Sequence, residues 1–388
     1  MADKTYDSSL DEVLEREHYM EVRNAFIEYS DYQQREVDHA RANLHQLRSS
    51  TENEHLCEEF WELNERKLRG MQDGIAKNQA FLNAVVEFQD RCSPFPLKDG
   101  DERVPGGPSR TTSAQVSKVN TTLRQCIRDW SEEGEEERRN SYGAVISELE
   151  RMCPVNPEKK GAKKVLVPGA GEGRLAYEIV SRGYGCTGNE FSYFMLMVSN
   201  FILNGAVEVN QFNLSPFVDN SCNTFDVDDM LRTIRVPDVC PPSVLETEDN
   251  LDFSYVCGEW LTCYKNEQAS TFDAIVTVFF LDTAPVVVEY IAAIARLLKE
   301  GGVWINFGPL LYHWSDSSLR ETDERFQRSI ELSWEEIRIV CGSYGLDIVR
   351  EEKQESTYNA DQRSMMKTAY RGILCSAVKR PKTSVNRV

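Results

Sequence analysis

The sequence is short of positive charge and carries no ordered cysteine motif, and each lack excludes something. Lysine and arginine number 44 against 63 aspartates and glutamates, a formal charge of −19. Affinity for a phosphate backbone comes largely from basic side chains displacing counterions, so a nucleic-acid partner is not expected. Eleven cysteines occur without any C-x-x-C pair, which argues against a zinc ribbon or a dithiol redox site and for reduced thiols. No H-E-x-x-H or similar ligand spacing appears, so no metal is expected. The opening "MADKTYDSSLDEVLERE" has neither a basic n-region nor an apolar h-region, which points to a cytosolic or nuclear protein. Long apolar runs are missing too. The most apolar stretch, residues 272 to 298, is interrupted by Asp273, Asp282, Glu289 and Arg296, so it reads as a strand and a helix and no membrane partner is expected.

What is present divides into three parts. Residues 1–95 are rich in Glu, Gln, Arg, Leu and Ala, with Phe60, Leu63, Leu68, Met71, Ile75 and Phe81 at roughly helical spacing, and read as a helical N-terminal region. Residues 96–115, with "SPFPLKDGDERVPGGPSRTTS" around them, concentrate Pro, Gly and Ser and read as a flexible linker or loop. Residues 116–388 open with a further helical stretch, in which the acidic run Glu132 to Glu137 is expected to be a solvated face. Strand and helix signals then alternate, which predicts an α/β fold with a largely parallel sheet covered by helices.

The first strand carries the main motif. In "KVLVPGAGEGRLAYEI" an apolar strand (Val165, Leu166, Val167) meets Gly169, Gly171 and Gly173 and then a helix. Such a unit brings backbone N–H groups and a helix N-terminus up to a ligand. The dinucleotide fingerprint needs G-x-G-x-x-G, and its third glycine is displaced here, with Arg174 following, so a nicotinamide oxidoreductase is a distant reading. The second strand, in "GYGCTGNEF", ends in Glu190, where a carboxylate accepts ribose hydroxyls. A nucleoside ligand without a pyrophosphate, such as S-adenosylmethionine, fits both features.

Ligands of open α/β sheets bind outside the carboxyl ends of the strands. That rule selects Gly169, Glu190, Asp252 or Phe253, Asp282 and "GPLLYHW". Asp282, followed by Thr283 and Pro285, reads equally as a cap of the next helix. His313 stands apart from the other four histidines, all in the N-terminal region, yet a structural role near a turn competes with a functional one. Gln125 and Arg128 share a helix face, which pattern alone reads as exposed surface. Tyr358 and Tyr370 carry no signal beyond their place near the last strands.

The stretches "VLVPGAGEGRLAYEI", "GNEFSYFMLMVSNFILN", "FFLDTAP", "GGVWINFGPLLYHW", "ELSWEEI" and "STYNADQRSMMK" together resemble the carnosine N-methyltransferases, over about residues 115 to 380. The resemblance implies a Rossmann-like class I methyltransferase domain preceded by helices. It implies S-adenosyl-L-methionine as cofactor, methylation of the imidazole π-nitrogen of carnosine to give anserine, a homodimer, and residence in cytosol and nucleus. Carried over by motif, the implied cofactor residues are Gln125, Arg128, Gly169, Glu190, Asp252, Phe253 and Val278. The implied substrate residues are Asp282, His313, Tyr358 and Tyr370, with Asp282 and His313 catalytic. The charged segment "SDSSLRETDERFQRSI" departs from the family pattern and is expected to alter one side of the pocket. Rival readings are methylation of a related dipeptide or of a protein histidine, and a non-catalytic cofactor-binding interaction protein.

Overall fold

The computed structural model describes residues 8–50, 53–95, 97, 111–245, 252–264, 269–359 and 361–381. In chain order the principal elements are α1 (Ser8–Ile27), α2 (Tyr29–Arg48), α3 (Glu58–Cys92), α4 (Ser113–Trp130), α5 (Ala144–Met152), β1 (Lys164–Pro168), α6 (Arg174–Val180) and β2 (Gly185–Glu190). There follow α7 (Tyr193–Asn204), β3 (Phe212–Leu214), β4 (Ile234–Val236), β5 (Phe253–Cys257), β6 (Phe272–Val278), α8 (Val287–Leu297), β7 (Leu298–Gly308), α9 (Trp334–Ser343), β8 (Leu346–Thr357) and β9 (Ala369–Lys379). Among the described residues no helix is long and apolar enough to cross a membrane. Most of the expected linker, residue 96 and residues 98–110, lies outside the described residues.

The chain forms two compact units, and their limits differ from the boundary expected near residue 116. One unit comprises Met1–Glu133, Tyr193–Cys240 and Asp361–Lys367; the other comprises Gly134–Ser192, Pro241–Ala360 and Thr368–Val388. The N-terminal helices therefore take in α4, α7 and the stretch that the sequence reads as irregular, which contains the antiparallel hairpin β3–β4. Polar side chains fix that hairpin to α3. Asn78 Nδ2 donates to the Ser215 carbonyl at 2.9 Å, and the Ser215 N–H returns a bond to Asn78 Oδ1 at 2.8 Å. Such a reciprocal pair satisfies a buried side chain and a strand end together.

The second unit holds a seven-stranded sheet of order β5-β2-β1-β6-β7-β9-β8. The first five strands run parallel and β9 is antiparallel to both β7 and β8. Alternate residues face opposite ways on a strand, and each face has its own core. Val165, Val167, Val276 and Ile305 pack with Leu149 and Ile179 from α5 and α6. Leu166, Ile275 and Trp304 pack with Ile291 and Ile294 from α8 and Ile337 from α9. Burial on both faces explains why these strands read as continuous apolar runs. On α9 the expected capping box is present: Ser333 Oγ accepts the Glu336 N–H, and the Glu336 side chain accepts the Ser333 N–H.

Candidate active site

The sheet order, with parallel strands on both sides of β1 and the antiparallel β9 inserted beside β7, places strand ends and loops together above the carboxyl edge of the sheet. Gly169 follows β1 at φ +65°, Gly171 has φ +55° and Gly173 φ +91°, a conformation that glycine adopts without steric cost. A Cβ on Gly169 would lie 2.4 Å from Cδ2 of Phe280, so the turn is closely packed from the side of β6.

Glu190 closes the turn from β2. Its Oε2 accepts the Gly171 N–H at 3.0 Å, and its Oε1 accepts the N–H groups of Phe191 and Ser192, each at 2.9 Å. Burial pushes this carboxyl above its usual range, and the three N–H donors act against that push. Asn189 ties β2 to the end of β5, donating through Nδ2 to the carbonyls of Val256 and Gly258 at 2.9 and 3.0 Å.

Asp282 sits in a short 3-10 turn, Leu281–Thr283, and does not cap α8, whose N-cap is Val286. Its Oδ2 accepts the Leu311 N–H at 2.8 Å, and its carbonyl accepts the His313 N–H at 3.0 Å. The loop after β7 is thus stitched to the loop after β6 at the two residues singled out from the sequence. Burial raises the Asp282 carboxyl above its ordinary range, opposed by the Leu311 N–H and by the neighbouring His313. Asp282 is buried whereas His313 is exposed.

An aromatic group completes this edge. Val278 ends β6, and Phe279 beyond it adopts φ +50° while its N–H donates to the Phe307 carbonyl at 2.9 Å. The Phe279 ring lies 4.8 Å from that of Tyr358 and 5.8 Å from that of Tyr370. The charged segment after His313 is tied back onto the Asp282 loop. Trp314 Nε1 donates to the Thr283 carbonyl at 2.8 Å, Arg325 lies over the Trp314 ring at 4.0 Å, and the Ile330 N–H reaches the Pro285 carbonyl at 3.1 Å.

Asp252 and Phe253 do not join the set. Phe253 pairs with Cys186 at the start of β2, whereas Glu190 at its end pairs with Cys257. In parallel strands this register puts Asp252 and Phe253 at the amino edge, the far end of β5 from Gly169 and Glu190. The carboxyl end of β5 carries instead Gly258, Glu259 and Trp260. Sequence reasoning missed these, although "GEW" directly follows "FSYVC" and the strand-end rule, applied to the end of that strand, selects it. It also missed Phe279 and Glu137. The acidic run is no uniform solvated face: Glu137 is 6% exposed. Gln125 and Arg128 lie on α4, in the other compact unit, and both are buried rather than surface residues. Gln125 Nε2 donates to Asp129 Oδ2 at 3.1 Å.

A strand, a glycine turn and an acid-ended second strand in this sheet order define a Rossmann-like methyltransferase fold. The carnosine N-methyltransferase family model matches residues 106–381. A mouse carnosine N-methyltransferase is 37% identical over 365 residues, covering 94% of this chain and 86% of that protein. One from Schizosaccharomyces pombe is 39% identical over 258 residues, covering 66% and 69%. Among solved structures, a magnesium protoporphyrin IX methyltransferase from Synechocystis is 13% identical with a TM-score of 0.35, covering 70% of this chain and 90% of that one. The chain belongs to the carnosine N-methyltransferase family, whose cofactor is S-adenosyl-L-methionine.

Proposed function

We propose that the chain methylates the imidazole π-nitrogen of carnosine, giving anserine. The observation that carries this reading is the double stitch between Asp282 and the Leu311–His313 loop at the carboxyl edge of the sheet, in a chain of this family. The residues also fit the cofactor. The glycine turn offers backbone without side chains, and the Glu190 carboxylate stands at the end of β2, where ribose hydroxyls are bound in such folds. Bound S-adenosyl-L-methionine supplies a methyl group on a sulfonium, which already carries a good leaving group.

The protein's own task is to hold one imidazole nitrogen close and aligned, an effect worth roughly 7–11 kcal/mol. An imidazole with a pKa near 6.5 is mostly neutral at cellular pH, so strong activation is unnecessary and tautomer control matters more. Asp282 is oriented by the Leu311 N–H and takes the N–H of the non-reacting ring nitrogen, leaving the lone pair of the other nitrogen for attack. His313 and the hydroxyls of Tyr358 and Tyr370 share the alignment of the acceptor. As the ring gains positive charge the Asp282 carboxylate stabilises it. Val278 and the Gly258–Trp260 corner are assigned to the cofactor side.

The test is incubation of the purified protein with methyl-labelled S-adenosyl-L-methionine and carnosine, with mass spectrometry of the product. π-Methylated carnosine, lost in Asp282→Ala and His313→Ala variants that still bind cofactor, supports the reading. Cofactor binding with carnosine untouched overturns it. The family resemblance further supports a homodimer in cytosol and nucleus, which sedimentation and imaging of the tagged chain would test.

A further inference from the structure

The geometry points to Glu137 as the positioning residue for Tyr358. Glu137 belongs to the short helix Glu135–Arg138, which runs into a π-helical turn, Arg139–Gly143. Its two carboxylate oxygens reach the two residues that flank Tyr358. Oε2 accepts the Thr357 hydroxyl at 2.9 Å and Oε1 accepts the Asn359 N–H at 2.8 Å. Gln354 Nε2, on the same strand, donates to the Asn140 carbonyl. β8 is an edge strand that ends at Thr357, and Asn359 beyond it is left-handed at φ +50°. A strand end in that conformation needs partners to persist, and here one buried carboxylate bonds the residues on both sides of Tyr358. Tyr358 lies between the clamped residues, with its ring directed to Phe279. A carboxylate is an acceptor at both oxygens, whereas a glutamine accepts at one and turns an N–H₂ toward the other donor.

This inference rests on the acceptor role of Tyr358 given above, and the test separates the two. Glu137→Gln should raise the KM for carnosine roughly tenfold and leave kcat and the Kd for S-adenosyl-L-methionine within about twofold. Thr357→Val, which removes only one donor and is the milder change, should raise the same KM about threefold. In a Tyr358→Ala background Glu137→Gln should add nothing beyond about twofold, because its effect passes through Tyr358. Hydrogen exchange without any acceptor reads the clamp separately: the Asn359 amide should exchange roughly tenfold faster in Glu137→Gln, with the β8–β9 core unchanged. Fully additive losses, or an unaltered KM with an unaltered Asn359 amide, overturn the proposal. A wild-type protein that leaves carnosine untouched overturns the functional reading, and the exchange comparison then decides the clamp by itself.

Discussion

At the scale of single residues, the site depends on carboxylates held by backbone N–H groups. Asp282→Asn keeps the side chain's size but loses its charge, and kcat for carnosine should fall roughly a hundredfold with the cofactor Kd within about twofold. Steady-state kinetics beside calorimetry checks this, and unchanged turnover would rule out the charge role. Glu190 accepts three N–H groups. Glu190→Gln presents an amide N–H₂ to at least one of them, so cofactor affinity should weaken by roughly tenfold or more, measured by the same titration. Glu148 makes a prediction about pH. It accepts bonds from Arg151, Arg350 and Ser376, and the Arg151 bond, first among these, holds its carboxyl well down, to about 2 from an ordinary 4.5. A carboxyl depressed in the folded state contributes stability above its unfolded pKa, and that stability is lost as pH falls through the folded value. The urea midpoint should therefore drop between about pH 4.5 and pH 2, and Glu148→Gln should flatten that part of the profile.

At the scale of elements, Gly169→Ala tests whether the turn is as closely built as its packing implies. The φ of +65° and the 2.4 Å approach to Phe280 should cost about 1–3 kcal/mol, seen as a lower thermal midpoint and weaker cofactor binding. This turn was legible in the sequence because an apolar strand, three glycines and a helix start lie within sixteen letters. The strands β1, β6 and β7 were legible for a related reason, being buried on both faces. The ends of elements were harder. β5 was found, but its two ends sit on opposite edges of the sheet, and only its pairing with β2 shows that Asp252 stands at the amino edge and Glu259 at the carboxyl edge. Glu137 was misread because charge composition speaks for solvent. Its carboxylate is bonded by Thr357 and Asn359, more than 200 positions away, which local pattern cannot register. Asp282 was left open between cap and site, and the start of α8 at Val287, with Val286 as its N-cap, decides against the cap.

At the scale of the whole molecule, the proposed homodimer gives a direct measurement: sedimentation equilibrium should return twice the 44.4 kDa chain mass, and a value of one chain would remove that reading. The division into units carries a different consequence, for the way the protein is made. The unit that holds the N-terminal helices also needs Tyr193–Cys240 and Asp361–Lys367. During translation, helices α1 to α3 leave the ribosome long before the last of these partners exists. At 5–20 residues per second, the roughly 270 residues between Gly100 and Lys367 take about 15 to 50 s to synthesise. For the first part of that interval Phe81, buried in the finished fold, waits for the rings of Phe201 and Phe212 that it packs against. Shortening the chain from the C-terminus, so that Asp361–Lys367 is lost, should therefore harm its beginning.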